Sequence, residues 1–263
     1  MFRYTIPNRA SLYAATVQSC DQCQRRGRNK RKEPLHPIPV HEPFHQIGID
    51  FVGPLPRSKN GNRYIIVAMD YLTKWPEARA FPEATAEVTA QFIYENIICQ
   101  HGCPQIILSD RGTHFRNTMI KKLMERFQIK HNLSTPYHPQ TNGLVERFNR
   151  TLCESLAKTI EYDDEWDLYI SPILFAYRTS KHSTTKIEPF YLVYGRDARL
   201  PTDTNEADPS DLNNRIQQLI DHVPYVREEA RLNITSNQNQ QKKCHDERLK
   251  VHVQFQIRDL KLY

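Results

Sequence analysis

Three acidic residues stand where a carboxylate is either costly or able to meet others. Asp50 lies inside an apolar run, I-D-F-V-G-P-L-P, where a charge is expensive unless it is paired or metal-bound. Asp110 closes the short run Ile106-Ile107-Leu108, within S-D-R-G-T-H-F. Glu146 opens a helical stretch, N-G-L-V-E-R-F-N-R-T-L. Two carboxylates from strand ends and one from a helix can converge on a point. They would offer oxygen donors with positions left open for phosphate, the ligand set that hard divalent cations prefer. Each acid alone has a plainer reading, as a turn former, a helix cap or a partner of the helix macrodipole. The combination is what points to chemistry.

The elements that would carry these acids follow from periodicity. Leu144 to Ile160 is expected to be a long helix. Val145, Phe148, Leu152 and Leu156 recur on one face as a core stripe, while Glu146, Asn149, Arg150 and Cys153 share another. That second face can present a carboxylate, an amide and a guanidinium side by side. Gln46 to Val52 alternates as a strand, with Ile47, Ile49 and Phe51 on one side and Gly48 and Asp50 on the other. Arg63 to Met69 and Trp75 to Phe81 read as further strands, and Gly53 to Gly61 as a loop or hairpin turn. Helices are expected over Thr85–Cys99, Thr118–Phe127 and Glu165–Tyr177, with short strands at Gln105–Leu108 and Ile129–Leu133. Three antiparallel strands followed by alternating helices and strands predict an α/β fold with a mixed sheet.

With 35 residues between Asp110 and Glu146, and an Asp 60 positions before Asp110, the pattern resembles the D,D-35-E signature of retroviral and retrotransposon integrases. The surrounding words G-I-D-F-V-G-P-L-P, L-S-D-R-G-T-H-F and S-T-P-Y-H-P-Q-T-N-G-L-V-E-R-F-N-R-T-L resemble the Ty3/gypsy class, as do F-A-Y-R-T-S-K-H-S-T-T and P-F-Y-L-V-Y-G-R. The likeness spans residues 44 to 200. It implies an RNase H-like mixed sheet flanked by helices, with the first three strands antiparallel and the later ones parallel. It also implies that Asp50, Asp110 and Glu146 bind two Mg²⁺ or Mn²⁺ ions. The activity implied is 3′-end processing and strand transfer of transposon DNA into target DNA, by a homo-oligomer working in the nucleus. By the same resemblance, Pro136 to Gly143 would be the active-site loop, with Tyr137, Gln140 and Asn142 touching DNA. Asn149 and Arg150 would contact the DNA end, and His114 reads as structural.

The flanks are expected to be different in kind. Residues 1–32 hold the pair Cys20 and Cys23 and a basic run in which six of the eight residues from Arg25 to Lys32 are Lys or Arg. The pair resembles the second half of the family's His-His-Cys-Cys zinc module. A closed Zn²⁺ site needs four ligands, and residues 1–19 contain no histidine, so the segment is expected to be a remnant of that module. Residues 1–40 carry eight basic and two acidic residues, which accounts for the whole net charge of +6. Such a run suits phosphate contact or nuclear import. Residues 33–43 form a Pro-rich linker. Residues 201–250 are expected to be a helical linker, with a helix over Asp211–Leu249 broken near Pro224, and 251–263 the start of a small β domain that is cut off. No run of eighteen apolar residues exists to span a membrane. The damaged flanks leave a second reading open, that of an idle DNA- or protein-binding remnant. An RNase H acting on RNA–DNA hybrids would share the fold but fits the acid spacing less well.

Overall fold

The computed structural model describes residues 37–134, 143–160, 162–200 and 218–249. Five strands form one sheet: β1 (Gln46–Val52), β2 (Tyr64–Asp70), β3 (Pro76–Phe81), β4 (Ile106–Ser109) and β5 (Lys130–Leu133). Their order across the sheet is β3-β2-β1-β4-β5. β1 to β3 are mutually antiparallel, and β4 and β5 join in parallel. This is the RNase H-like mixed sheet expected from the sequence.

The alternation of β1 decides what covers each face. Ile47 and Ile49 are buried with Ile66, Ala68 and Ile107 beneath the helix α1 (Ala86–Phe92) and the helix α2 (Thr118–Arg126). α1 runs on through a π-helical stretch, Ile93–Ile98, to a last turn at Cys99–His101. Both helices begin where a side chain satisfies a free N–H. Thr85 accepts from Val88 N at 3.3 Å, and Asn117 accepts from Ile120 N at 2.9 Å.

The opposite face is covered by α3 (Gly143–Thr159) and α4 (Ile170–Arg178), the latter entered through a 3-10 turn at Trp166–Tyr169. Val145, Phe148, Leu152 and Leu156 are all buried there, against Ile65, Val67 and Met69. Each such side chain contributes about 1.5–3 kcal/mol on burial. The predicted stripe is therefore what fixes the rotation of α3, leaving Glu146 exposed and setting Asn149 over Asp50 at the edge of the core.

Two elements depart from expectation. The short helix α5 (Pro189–Tyr194) starts with Pro at its first turn and stops at Gly195, whose φ of 63° is left-handed. A Cβ at Gly195 would stand 2.5 Å from Val223 Cγ2, so glycine is needed there twice over. Secondly, the interruption expected near Pro224 is a change of helix type and not a break in the chain's course. A π-helical stretch, Gln218–His222, gives way to the helix α6 (Val223–Leu249) one residue before Pro224, whose ring nitrogen has no N–H to give to the turn before it. Nor does α6 behave as a free linker. Val223, Val226, Ala230 and Ile234 are buried, and Arg227 donates to the carbonyls of Leu192 and Val193 at 2.9 and 3.0 Å.

Candidate functional site

β1 and β4 pair in parallel with Gly48 opposite Leu108. Two residues beyond that pair stand Asp50, inside β1, and Asp110, just past the end of β4. Both side chains then point to the face that α3 covers, and α3 brings Glu146 in its first turn.

Asp50 is half-buried, and Asn149, one turn beyond Glu146, donates from Nδ2 to its Oδ2 at 2.9 Å. Burial pushes the carboxyl of Asp50 up to about 6, and the charges of Asp110 and Glu146 push it the same way. The Phe51 N–H and the Asn149 amide hold it down only in part. Asp110 accepts from Gly112 N at 2.8 Å and lies 3.9 Å from His114 Nε2. His114 packs edge-on against Phe51 and Phe115, at centroid distances of 4.6 and 4.4 Å. Burial holds its imidazole below the usual range, against the pull of Asp110. Asn117 donates to the carbonyls of Thr113 and His114, both at 3.0 Å, which anchors this turn on α2. No side chain fits at Gly112, where a Cβ would meet His114 Cε1 at 2.4 Å and Asp110 Oδ1 at 3.0 Å.

The site is short of partners. Four buried side-chain polar atoms lack a hydrogen bond among the described residues, and two of them, Asn149 Oδ1 and His114 Nε2, border these acids. Neither Asp50 nor Glu146 has a cationic partner among the described residues. A set of uncompensated carboxylate oxygens with an orphaned amide oxygen beside it fits a hard divalent cation. Among the described residues no group of three His, Cys, Asp or Glu side chains closes on one point. Asp50 thus senses the charges of Asp110 and Glu146 without the three forming a finished cage.

The sequence-derived assignments fare differently. Asp50, Asp110 and Glu146 are brought into one neighbourhood. Asn149 turns inward to Asp50, while Arg150 is exposed on the next position of the helix. Tyr137, Gln140 and Asn142, with the rest of the expected loop, lie outside the described residues, as do Cys20, Cys23, the basic run and residues 251–263. The thiols that are described, Cys99, Cys103, Cys153 and Cys244, are free. The sequence left His114, four residues beyond Asp110, between a place near the site and a structural role, and the structure gives it both: 3.9 Å from Asp110 and packed on Phe51 and Phe115. The i, i+4 spacing was a signal, though a histidine after a strand gives no direction by itself.

Comparison with known proteins gives the same picture. The integrase core domain family matches residues 40–139, and a second form of it matches residues 127–167. The retrovirus-related Pol polyprotein from transposon 412 of Drosophila melanogaster is 29% identical over 222 residues, covering 83% of this chain and 18% of that protein. The transposon Tf2-3 polyprotein of Schizosaccharomyces pombe is 30% identical over 251 residues, covering 93% of this chain and 18% of that protein. The chain thus spans less than a fifth of the length of either relative. A chain of the cryoEM structure of the simian T-cell lymphotropic virus intasome, in complex with PP2A regulatory subunit B56 gamma, shares the fold. Its TM-score is 0.54 at 21% identity, covering 77% of this chain and 72% of that one.

Proposed function

Residues 40–167 belong to the integrase core domain family, in the form carried by Ty3/gypsy retrotransposon Pol polyproteins, and on that premise we propose that the chain is a divalent-metal-dependent polynucleotidyl transferase that joins transposon DNA to target DNA. Asp50, Asp110 and Glu146 would hold two Mg²⁺ or Mn²⁺ ions. Bound there, the pair supplies charge stabilisation to the attacking and leaving oxygens of an in-line phosphoryl transfer.

In the first reaction, water attacks a phosphodiester near the 3′ end of the transposon DNA. A P–O bond forms, the bond to the departing strand breaks, and a 3′-OH is left. In the second, that hydroxyl attacks a target phosphodiester and displaces a target 3′ oxygen. No bond to the protein is made, so no Ser or Tyr nucleophile is required. The chain's own residues supply order. Asn149 holds the carboxylate of Asp50 through one amide proton, and Gly112 N–H fixes Asp110. His114, packed on Phe51 and Phe115, shields one edge of Asp110 from water. Arg150, exposed beside Asn149 on α3, is available to a DNA end. DNA ends and target DNA are the partners, a homo-oligomer the working form and the nucleus the place.

What supports this reading most is the neighbourhood of Asp50, where an amide clamp and two further carboxylate charges meet on one sheet face. The test is Mn²⁺-dependent disintegration of a branched DNA oligonucleotide by the wild type and by Glu146→Gln. Turnover by the wild type, lost in the variant, is expected. Equal turnover by both would remove Glu146 from the chemistry. A well-folded but inactive wild type would favour a remnant that keeps the fold without the reaction.

A further inference from the structure

Beside Glu146 opens a cavity of about 1300 Å³, larger than the roughly 300–1,000 Å³ of ordinary small-molecule sites. Its walls come from the turn that follows β2, from α3, from the loop after α4 and from α6. Among the described residues that line it, Glu146 is the only acid, against Lys74, Arg147 and Lys181.

Lys74 is built into this wall. Its φ of 61° is left-handed, a conformation that a lysine keeps only where the surroundings impose it. Its side chain is almost wholly buried, and Nζ donates to Tyr71 O at 2.7 Å. A lysine ammonium carries three donors, so two remain for a ligand. The nearby Asp70 carboxylate is already engaged by Phe44 N, Thr73 N and Thr73 Oγ1, at 2.9, 2.7 and 2.7 Å. Arg147 is exposed on α3 and lines the cavity together with Tyr71, Lys74, Tyr177 and His182. It has no carboxylate partner among the described residues. His182 accepts from Thr184 N at its Nδ1, at 3.1 Å, which leaves the proton of a neutral ring on Nε2 as one more donor.

A cavity with spare N–H donors and a net positive lining, larger than an ordinary small molecule needs, selects a polyanion. Because it shares Glu146 with the proposed reaction centre, we infer that it is a track for the phosphodiester backbone of a DNA strand, with Arg147, Lys181 and Lys74 gripping phosphates next to the one that reacts. This rests on the function proposed above and adds to it the residues that hold the strand.

The experiment measures binding of labelled single-stranded and duplex oligonucleotides to the full chain in EDTA, over a range of salt, so that no turnover contributes. The wild type is compared with Arg147→Gln/Lys181→Gln and with Arg147→Lys. Both residues are exposed, so folding is not at stake, and circular dichroism verifies it. Two lost phosphate contacts should lower the slope of log affinity against log salt by about 1.4 for single strands and about 1.8 for duplex, while Arg147→Lys keeps the wild-type slope. An unchanged slope in the double variant overturns the track. If Glu146→Gln still abolishes disintegration in that case, the integrase reading stands and the track alone falls. Polyglutamate that displaces DNA at equal concentration of charge, through the same two residues, would replace DNA by an acidic peptide as the occupant. Absence of DNA binding by the wild type at low salt overturns the track, and Mn²⁺-dependent disintegration then decides the integrase reading separately.

Discussion

Asp50 on β1 and Glu77 on β3 stand two strands apart in one sheet, and burial raises the cost of ionising each. Glu77 is surrounded by donors: Trp75 Nε1 at 2.8 Å, His101 Nε2 at 3.1 Å and Arg178 Nη2 at 3.0 Å. Arg178 also donates to Pro76 O and stacks over Trp75, its Cζ 4.2 Å from the ring centroid. Burial pushes Glu77 up, but the His101 bond, the Arg178 charge and the Trp75 bond outweigh it and hold the carboxyl below its usual range. Asp50 has one amide and one backbone N–H against burial and two more acids, and it ends up at about 6. A carboxylate that the fold satisfies is a structural tie. One that the fold leaves short has kept capacity for something outside the chain.

The contrast is broken most sharply by removing one acid from each region. Asp50→Asn or Asp110→Asn should reduce disintegration to background, roughly 10³-fold or more, with the protein as stable as before or more so. Loss of folding in either variant, seen by urea denaturation, would assign these acids to the structural side. Arg178→Met should cost about 3–5 kcal/mol, because Glu77 is left buried and uncompensated. Adding Glu77→Gln to that variant should recover part of the loss, and strictly additive denaturation midpoints would count against a coupled tie. Gly112→Ala tests the tight turn at the candidate site. The contact with His114 and Asp110 should cost about 1–3 kcal/mol and lower turnover as well, measured by the same two assays.

Acidity sharpens the comparison further, because the two shifts have opposite sign. Asp50 has its folded pKa raised, so in metal-free protein its favourable contribution exists at low pH and is lost as pH rises through about 6. Asp50→Asn should therefore gain stability over wild type above that pH, on the order of 2 kcal/mol, and little near pH 4. Glu77 has its folded pKa lowered, so its contribution is present above the unfolded value and disappears as pH falls through the folded one. The deficit of Glu77→Gln should shrink on acidification. Parallel pH curves for the two variants would contradict the contrast. The smallest effect belongs to a region outside both: Lys59, exposed and paired with Glu165 at 2.5 Å, should leave the urea midpoint almost unmoved on substitution by Ala.

Much of the fold was legible because its elements carry strong periods. The strand at Gln46–Val52 and the burial of Val145, Phe148, Leu152 and Leu156 follow directly from alternation and from helical spacing. α5 was not legible, since six residues, P-F-Y-L-V-Y, are too few to display a 3.6-residue period and are apolar throughout. The docking of α6 was hidden in a polar, Asn- and Gln-rich sequence, where four buried positions suffice to seat it. At the candidate site, the acids could be found by their placement against apolar runs. The inward turn of Asn149 could not, because it depends on which strand lies under α3. Lys74 and Arg147 gave no signal, as a lysine in a turn and an arginine on a helix are ordinary until a cavity is seen between them.

The pairing of β1 with β4 has a consequence for what insertions the chain can absorb. Asp50 and Asp110 each stand two residues beyond a registered pair of β1 and β4, and the 59 residues between them include loops that contribute nothing to that pairing. Residues added to the loop before β4 would lengthen the excursion and leave the two acids together. A single residue added inside β4, between Ile106 and Asp110, would invert the parity of the strand and send Asp110 to the opposite face. Tolerance to changes of length should therefore be governed by odd and even steps within a few strand residues, and hardly at all by distance along the chain.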